Sequence, residues 1–132
     1  MFPPAFGIVI AAVFIIHGIG HGMGILPFRG KKLSESHSAD SRILGPLIGD
    51  GPSRVVGVVI WGLVMAGFLL AAAGLLGWVV PDHWRQIAAV SAIFSLAGLA
   101  LFWNAFPFLF PNKVGVILVD AGVLAWVLRG GI

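Results

Sequence analysis

Two histidines, His17 and His21, lie inside an apolar run that reads FIIHGIGHGMGIL over residues 14–26. Four residues apart on a helix, they project from one face, one turn apart. The same spacing lets two imidazoles hold one metal ion, as in helices with an HExxH pattern. Here the intervening residues are Gly-Ile-Gly, so the glutamate of that pattern is missing. The glycines clear room beside the imidazoles, where a ligand, a cofactor or another helix can approach the backbone closely.

Two more polar residues stand in apolar surroundings: Asp120 in VILVDAGVL and Asn104 in LFWNAF. An aspartate at mid-helix in lipid costs about 2.5–3.5 kcal/mol on insertion scales, so Asp120 must face inward with a partner or be neutral. Asn104 needs hydrogen-bond partners for the same reason. Counted from the expected span ends, His17, His21, Asn104, Asp120 and Trp61 all lie about 7–13 Å below one boundary, at 1.5 Å per residue. The expected site is one pocket holding His17, His21, Asn104 and Asp120, walled by Trp61 and Trp103. Within it, His17, His21 and Asp120 form a donor set suited to zinc or ferrous iron, with an open position for water. A haem with one of the histidines as axial ligand is an alternative. The two cannot take opposite faces of one haem, because they leave the same side of one helix. A proton relay also fits, since histidine titrates near neutrality. The reading without chemistry is that these groups hydrogen-bond one another and fix helix register.

Membrane helices are the elements expected to position these residues. Hydrophobic residues make up 59% of the chain and charged residues 10%, against about 25% charged in a typical soluble domain. So few charges cannot cover a surface in water. The length of 132 residues suits one compact unit. There is no cysteine, which removes disulfides, thiolate ligands and thiol nucleophiles together. The net charge of +3 is small and concentrated in one loop, so the expected partner is the lipid bilayer and not nucleic acid.

The apolar runs predict an all-α integral membrane protein, an up-down bundle of four spans at about 5–26, 55–80, 87–108 and 113–129. The first span has no basic n-region and exceeds the roughly 7–15 apolar residues of a signal peptide, so it reads as retained. The third loses regularity at FPFLFP (residues 106–111), and the fourth is short. The loop 27–54 carries Arg29, Lys31, Lys32, Arg42 and Arg54, and Lys113 joins them on the same side; Arg85 and Arg129 lie on the other. The positive-inside tendency then places the long loop in the cytoplasm and both termini outside the cell inner membrane.

Within that loop, RILGPLIGDG (residues 42–51) is apolar but too short to cross. Glu35, His37, Asp40 and Asp50 read as a solvated surface, with a lid in which His37 or Glu35 adds a ligand as the alternative. His83 and Trp84 read as an outer interfacial anchor, and Lys113 as a side chain snorkelling toward headgroups. Gly18, Gly20, Gly22, Gly24, Gly62, Gly67, Ser91 and Ser95 are the small residues expected at helix contacts.

With these residues in hand, the chain resembles a group of small bacterial four-span proteins of unknown function. The likeness rests on an HGxxH-type motif in the first span (His17-Gly18-Ile19-Gly20-His21, followed by Gly24) and on Trp61 early in the second. Ser91 or Ser95 and then Trp103-Asn104-Ala105 in the third continue it, and Lys113-Val114-Gly115 with Asp120 in the fourth complete it. In size and layout the chain is also similar to DoxX-like four-span proteins. The resemblance implies a membrane location and the same pocket residues, and supplies no substrate.

The function expected from these residues is binding of a ligand or metal in an intramembrane His/Asp/Asn pocket near the cytoplasmic side, with an auxiliary redox role as one form of it. A structural or assembly subunit, as a homo-oligomer or within a larger membrane complex, is the alternative. A small transporter or channel is a third; broken helices and inverted repeats would favour it, and only FPFLFP hints at a break.

Overall fold

The computed structural model describes residues 3–130, and among these every regular element is helical. Helix α1 spans Pro4–Gly20 and tightens into 3₁₀ turns at His21–Gly24 and Pro27–Arg29. A short helix, α2, covers Leu44–Ile48, and α3 covers Asp50–Leu75. Helix α4 spans Trp84–Leu101 and α5 spans Val114–Gly130. Three stretches are long and apolar enough to cross a membrane: Pro4–Arg29, Asp50–Leu75 and Trp84–Leu101. The fourth long helix, α5, has 17 residues, about 25 Å at 1.5 Å per residue.

The boundaries differ from the expected ones for local reasons. Helix α3 starts at Asp50 and not near 55, because Gly49, at φ 91°, turns the chain sharply out of α2. It stops at Leu75, short of 80, where the chain turns through Gly77 at φ 78°. Helix α4 ends at Leu101, well short of 108. Phe106 and Phe110 precede prolines and take extended backbone angles, φ −109° ψ 129° and φ −120° ψ 135°, as the proline ring demands of its predecessor.

Consecutive long helices pack as neighbours: α1 on α3, α3 on α4, α4 on α5. The start of α4 meets the end of α5, where the Trp84 and Trp126 rings stand 5.2 Å apart. The start of α1 shares a hollow with Leu75, Leu76 and Trp84, so neighbours run antiparallel. Ala71, Ala72, Ala88 and Ala92 are all buried on the facing sides of α3 and α4; such small residues let backbones approach. Two apolar clusters result. One gathers Phe14, Phe68, Ala71, Ala88 and Val123; the other gathers Trp61, Leu99, Phe102, Phe106 and Val116. Between them, at the level of residues 17–21, 95 and 120, lies a polar layer.

The loop folds back over the end of the bundle where α4 gives way to α5. Ser38 N–H donates to Asn104 O at 2.9 Å, Ser34 Oγ to Pro107 O at 3.1 Å and Ser41 Oγ to Leu101 O at 2.6 Å. These bonds put Arg29, Lys31, Lys32, Arg42, Arg54 and Lys113 at one end of the molecule.

Two expectations for this region are corrected. His37 is not solvated surface: it is fully buried. Its Nδ1 accepts from Leu33 N–H at 3.1 Å, so Nε2 carries the hydrogen and donates to Met23 O (3.0 Å) and Ala105 O (2.9 Å). These are carbonyls that the ends of the helices leave unpaired, and the imidazole is spent on them, away from the His17–His21 pair. Lys113 does not snorkel outward. It is buried, with Nζ 4.8 Å above the Trp103 ring.

Candidate functional site

His21 sits where α1 tightens from α to 3₁₀. Its backbone N–H reaches Gly18 O, three residues back, which releases the carbonyl of His17 from its usual partner four residues on. The ring of His21 takes that carbonyl instead, with Nδ1 donating to His17 O at 2.8 Å. A carbonyl only accepts, so Nδ1 carries the hydrogen, and a neutral ring then offers Nε2 as acceptor. Ser95 of α4 fills that position, with Oγ donating to Nε2 at 2.7 Å.

His17 points the other way. Its Nε2 is 2.8 Å from Asp120 Oδ1 of α5. Asp120 is fully buried, and its second oxygen, Oδ2, has no hydrogen-bond partner among the described residues. The polar layer thus ties α1 to α4 and to α5 through two separate bonds.

Aromatic rings enclose the imidazoles. Phe68 meets His17 edge-on at 4.7 Å and lies nearly parallel to His21 at 6.0 Å. Trp61 stands 5.8 Å from His21 and Phe106 5.6 Å. Trp61 is itself held between two glycines. A Cβ on Gly24 would overlap the indole, and a Cβ on Gly98 would come within 2.9 Å of it. The close approach of α1 and α4 to α3 at this level therefore requires glycine at both positions.

One side of the layer is open. Between α1 and α5 runs a groove of about 340 Å³, bordered by His17, Gly20, Met23, Phe106, Asn112 and Val116. The side chain of His17 is 8% exposed, and its Nδ1 has no protein partner among the described residues.

Of the residues expected to share one pocket, the structure brings together His17, His21, Trp61 and Asp120. Trp103 and Asn104 lie elsewhere, beside Asp40 and Arg42 in a hollow at the loop end. The cause is the early end of α4: after Leu101 the chain leaves the helical path, so helical counting no longer predicts depth or direction. Ser95 enters the site as a hydrogen-bond donor, although in sequence it stands as a small residue at a contact and, interchangeably with Ser91, as part of the family resemblance. Phe68 and Phe106 were unmarked among ten phenylalanines.

His17, His21 and Asp120 offer ligand atoms that all lie within 4.8 Å of one another. In a tetrahedral zinc site with bonds of about 2.0–2.1 Å, donor atoms stand roughly 3.3 Å apart. In addition, both His21 nitrogens and His17 Nε2 already have protein partners. The donor types fit a metal, and three of the four imidazole nitrogens are engaged by protein groups.

Comparison with protein-family models, curated proteins and solved structures gave no match. Fold and site therefore define the class in chemical terms: a helical chain with three helices able to span a membrane, and a buried Ser–His and His–Asp layer at mid-bundle.

Proposed function

We propose that this chain is an integral protein of the cell inner membrane, a four-span bundle that binds a small ligand at the His17–Asp120 pair. The outward faces support the membrane reading. Ile8, Ile16, Leu63 and Leu118 are 60–73% exposed, and they belong to apolar faces far larger than a protein in water tolerates. Meanwhile the ionisable groups of the helix middles turn inward, as lipid requires. The basic end, by the positive-inside tendency, faces the cytoplasm. The likeness to small bacterial four-span proteins belongs to the same proposal.

One observation carries the ligand reading. The imidazole of His17, bonded through Nε2 to a fully buried carboxylate, borders an open groove, and its Nδ1 has no protein partner among the described residues. Polar atoms in apolar surroundings are nearly always paired, so an unpartnered ring nitrogen on a cavity marks a place where a further group binds. An organic ligand needs no rearrangement of the existing bonds, whereas a metal would break at least one. A second reading, an assembly subunit, draws on Gly20, Gly115 and Gly122, where an added Cβ would meet nothing within 4 Å; a neighbouring helix could dock there.

The test is to purify the protein with its native lipids and identify small molecules and metals that travel with it. Wild type should carry an organic molecule that His17→Phe loses. A wild type that carries nothing, with His17→Phe equally stable, sinks the ligand reading. For orientation, Ser36→Cys should be labelled only from the cytoplasmic side and Trp78→Cys only from outside. Labelling of both from one side would refute the topology.

A further inference from the structure

We infer that the ligand of this site is a neutral, apolar molecule with one carbonyl-type acceptor head and a single slender tail, lying lengthwise in the seam between α1 and α5. The inference rests on the binding site proposed above and adds the ligand's chemical class.

The head follows from counting protons. A net charge held in an apolar interior is costly, so the His17–Asp120 pair is most stable when neutral overall. Three arrangements are neutral. One of them, with the acid hydrogen on Oδ2 and Nε2–H donating to Oδ1, strands that hydrogen on a buried atom without an acceptor and is disfavoured. The other two are a carboxylate with a doubly protonated imidazole, and a carboxylic acid donating to Nε2 of a neutral imidazole. Nε2 is the nitrogen that faces Asp120, so in both of these the hydrogen on Nδ1 is present. Nδ1 is the nitrogen without a protein partner, on a ring that borders the groove. The site therefore presents an N–H donor, and its complement is an acceptor. Asn112 borders the same groove, its amide engaged only by a 3.4 Å contact with Met23 Sδ and its Oδ1 buried without a partner.

The tail follows from the rest of the seam. A second hollow, of about 300 Å³, continues along α1 and α5 beyond Val13 and Val119, which border both. Phe6, Ile10, Leu118, Gly122 and Trp126 line it, and no charged side chain does. From His17 to Phe6 is about 16 Å along the helix axis at 1.5 Å per residue. One end of the seam is a donor and the remainder is apolar, which is the shape of a lipid-soluble molecule with one polar end. A docked helix fits this less well. Its backbone carbonyls are already bonded within the helix, so it would leave His17 Nδ1–H without an acceptor.

The experiment uses the full chain in nanodiscs with two probes: a long-chain methyl ketone labelled with ¹³C at the carbonyl, and butanone. Infrared spectra report hydrogen bonding of the carbonyl, and titration reports affinity. The long ketone should bind saturably with a lowered carbonyl frequency. His17→Leu should remove that shift and weaken binding about tenfold, the worth of one good hydrogen bond. Gly122→Leu fills the apolar hollow without touching the head. It should weaken the long ketone about tenfold and leave butanone within about twofold. Leu118→Trp, from a lipid-facing position on the same hollow, serves if Gly122→Leu does not fold.

If both tail variants bind the long ketone like wild type, the tail assignment falls while the binding site stands. An alkane of equal length that binds as tightly as the ketone overturns the head. If neither ketone binds and Gly122→Leu breaks a dimer, the seam belongs to a second helix and the inference fails. A chain that binds neither probe and brings no molecule with it through purification loses the underlying site as well.

Discussion

His17 and Asp120 join helices α1 and α5 through one bond, Nε2 to Oδ1 at 2.8 Å, across a seam where the two backbones do not pack closely. Helices α1 and α3, α3 and α4, and α4 and α5 are held by apolar side chains and small residues. The join between α1 and α5 at this level is polar. It closes the bundle on one side and leaves grooves above and below.

Removing one member of this pair should therefore be worse than removing both. His17→Leu and Asp120→Leu each leave a buried polar group alone. Polar pairs between membrane helices couple by about 0.6 kcal/mol on average and at most about 1.7. A coupling of about 1–2 kcal/mol is expected here, toward the upper end, because Asp120 is fully buried. Unfolding of the two single variants and the double variant in detergent measures it. Strict additivity would show that the contact holds nothing together.

Gly98→Ala should destabilise the fold by about 1–3 kcal/mol through overpacking. The new methyl meets Ile60 Cγ2 at 2.8 Å and the Trp61 ring at 2.9 Å. Gly62→Ala, on the same helix as Trp61 but facing open space, should change stability little. Equal effects of the two substitutions would contradict the clamp around Trp61.

His37→Ala should free the loop while sparing the helices. The imidazole bonds three backbone groups, from Leu33, Met23 and Ala105. Without it, limited proteolysis after Lys31, Lys32 or Arg42 should quicken several-fold, while helix content by circular dichroism stays unchanged. Protease resistance equal to wild type would mean that the serine bonds alone hold the loop.

Asp40 gives a pH dependence outside the bundle. Its carboxyl lies below the usual aspartate range, first because the Arg54 guanidinium hydrogen-bonds it at 2.7 Å. A depressed acid contributes stability that is full above the unfolded-state value, near 3.9, and is lost as pH falls through the lowered folded value. Both groups are about half exposed, so the contribution is small. Arg54→Gln should move the Asp40 titration, followed by carboxyl NMR, upward toward the ordinary range. An unmoved titration would show that the pair is not formed in solution.

The histidine pair, the aspartate and Trp61 were legible in sequence because each lies within a regular helix, where 3.6-residue periodicity fixes both face and depth. Asn104 and Trp103 were not, because α4 stops at Leu101, Phe102 leaves the helical angles at φ −127° ψ 58°, and the two residues sit in a separate 3₁₀ turn that α-helical periodicity does not describe. His37 read as surface because its neighbours are polar. Its burial depends on carbonyls of Met23 and Ala105, one from each of two distant turns, a tertiary fact with no local signature. Ser95 carried a signal that could have been used, since a hydroxyl one helix away is a natural partner for a buried imidazole. In sequence it was indistinguishable from Ser91, which instead bonds back to Ile87 O.

The position of Asp120 in α5, after α1, α3 and α4 in chain order, has a bearing on biogenesis. Synthesis delivers α1, α3 and α4 first, and these three share the apolar contacts needed to associate. Throughout that interval the imidazole of His17 lacks its carboxylate. On the proposed membrane reading, the chain made up to α4 is a trough open to lipid along its length, and α5 latches it shut.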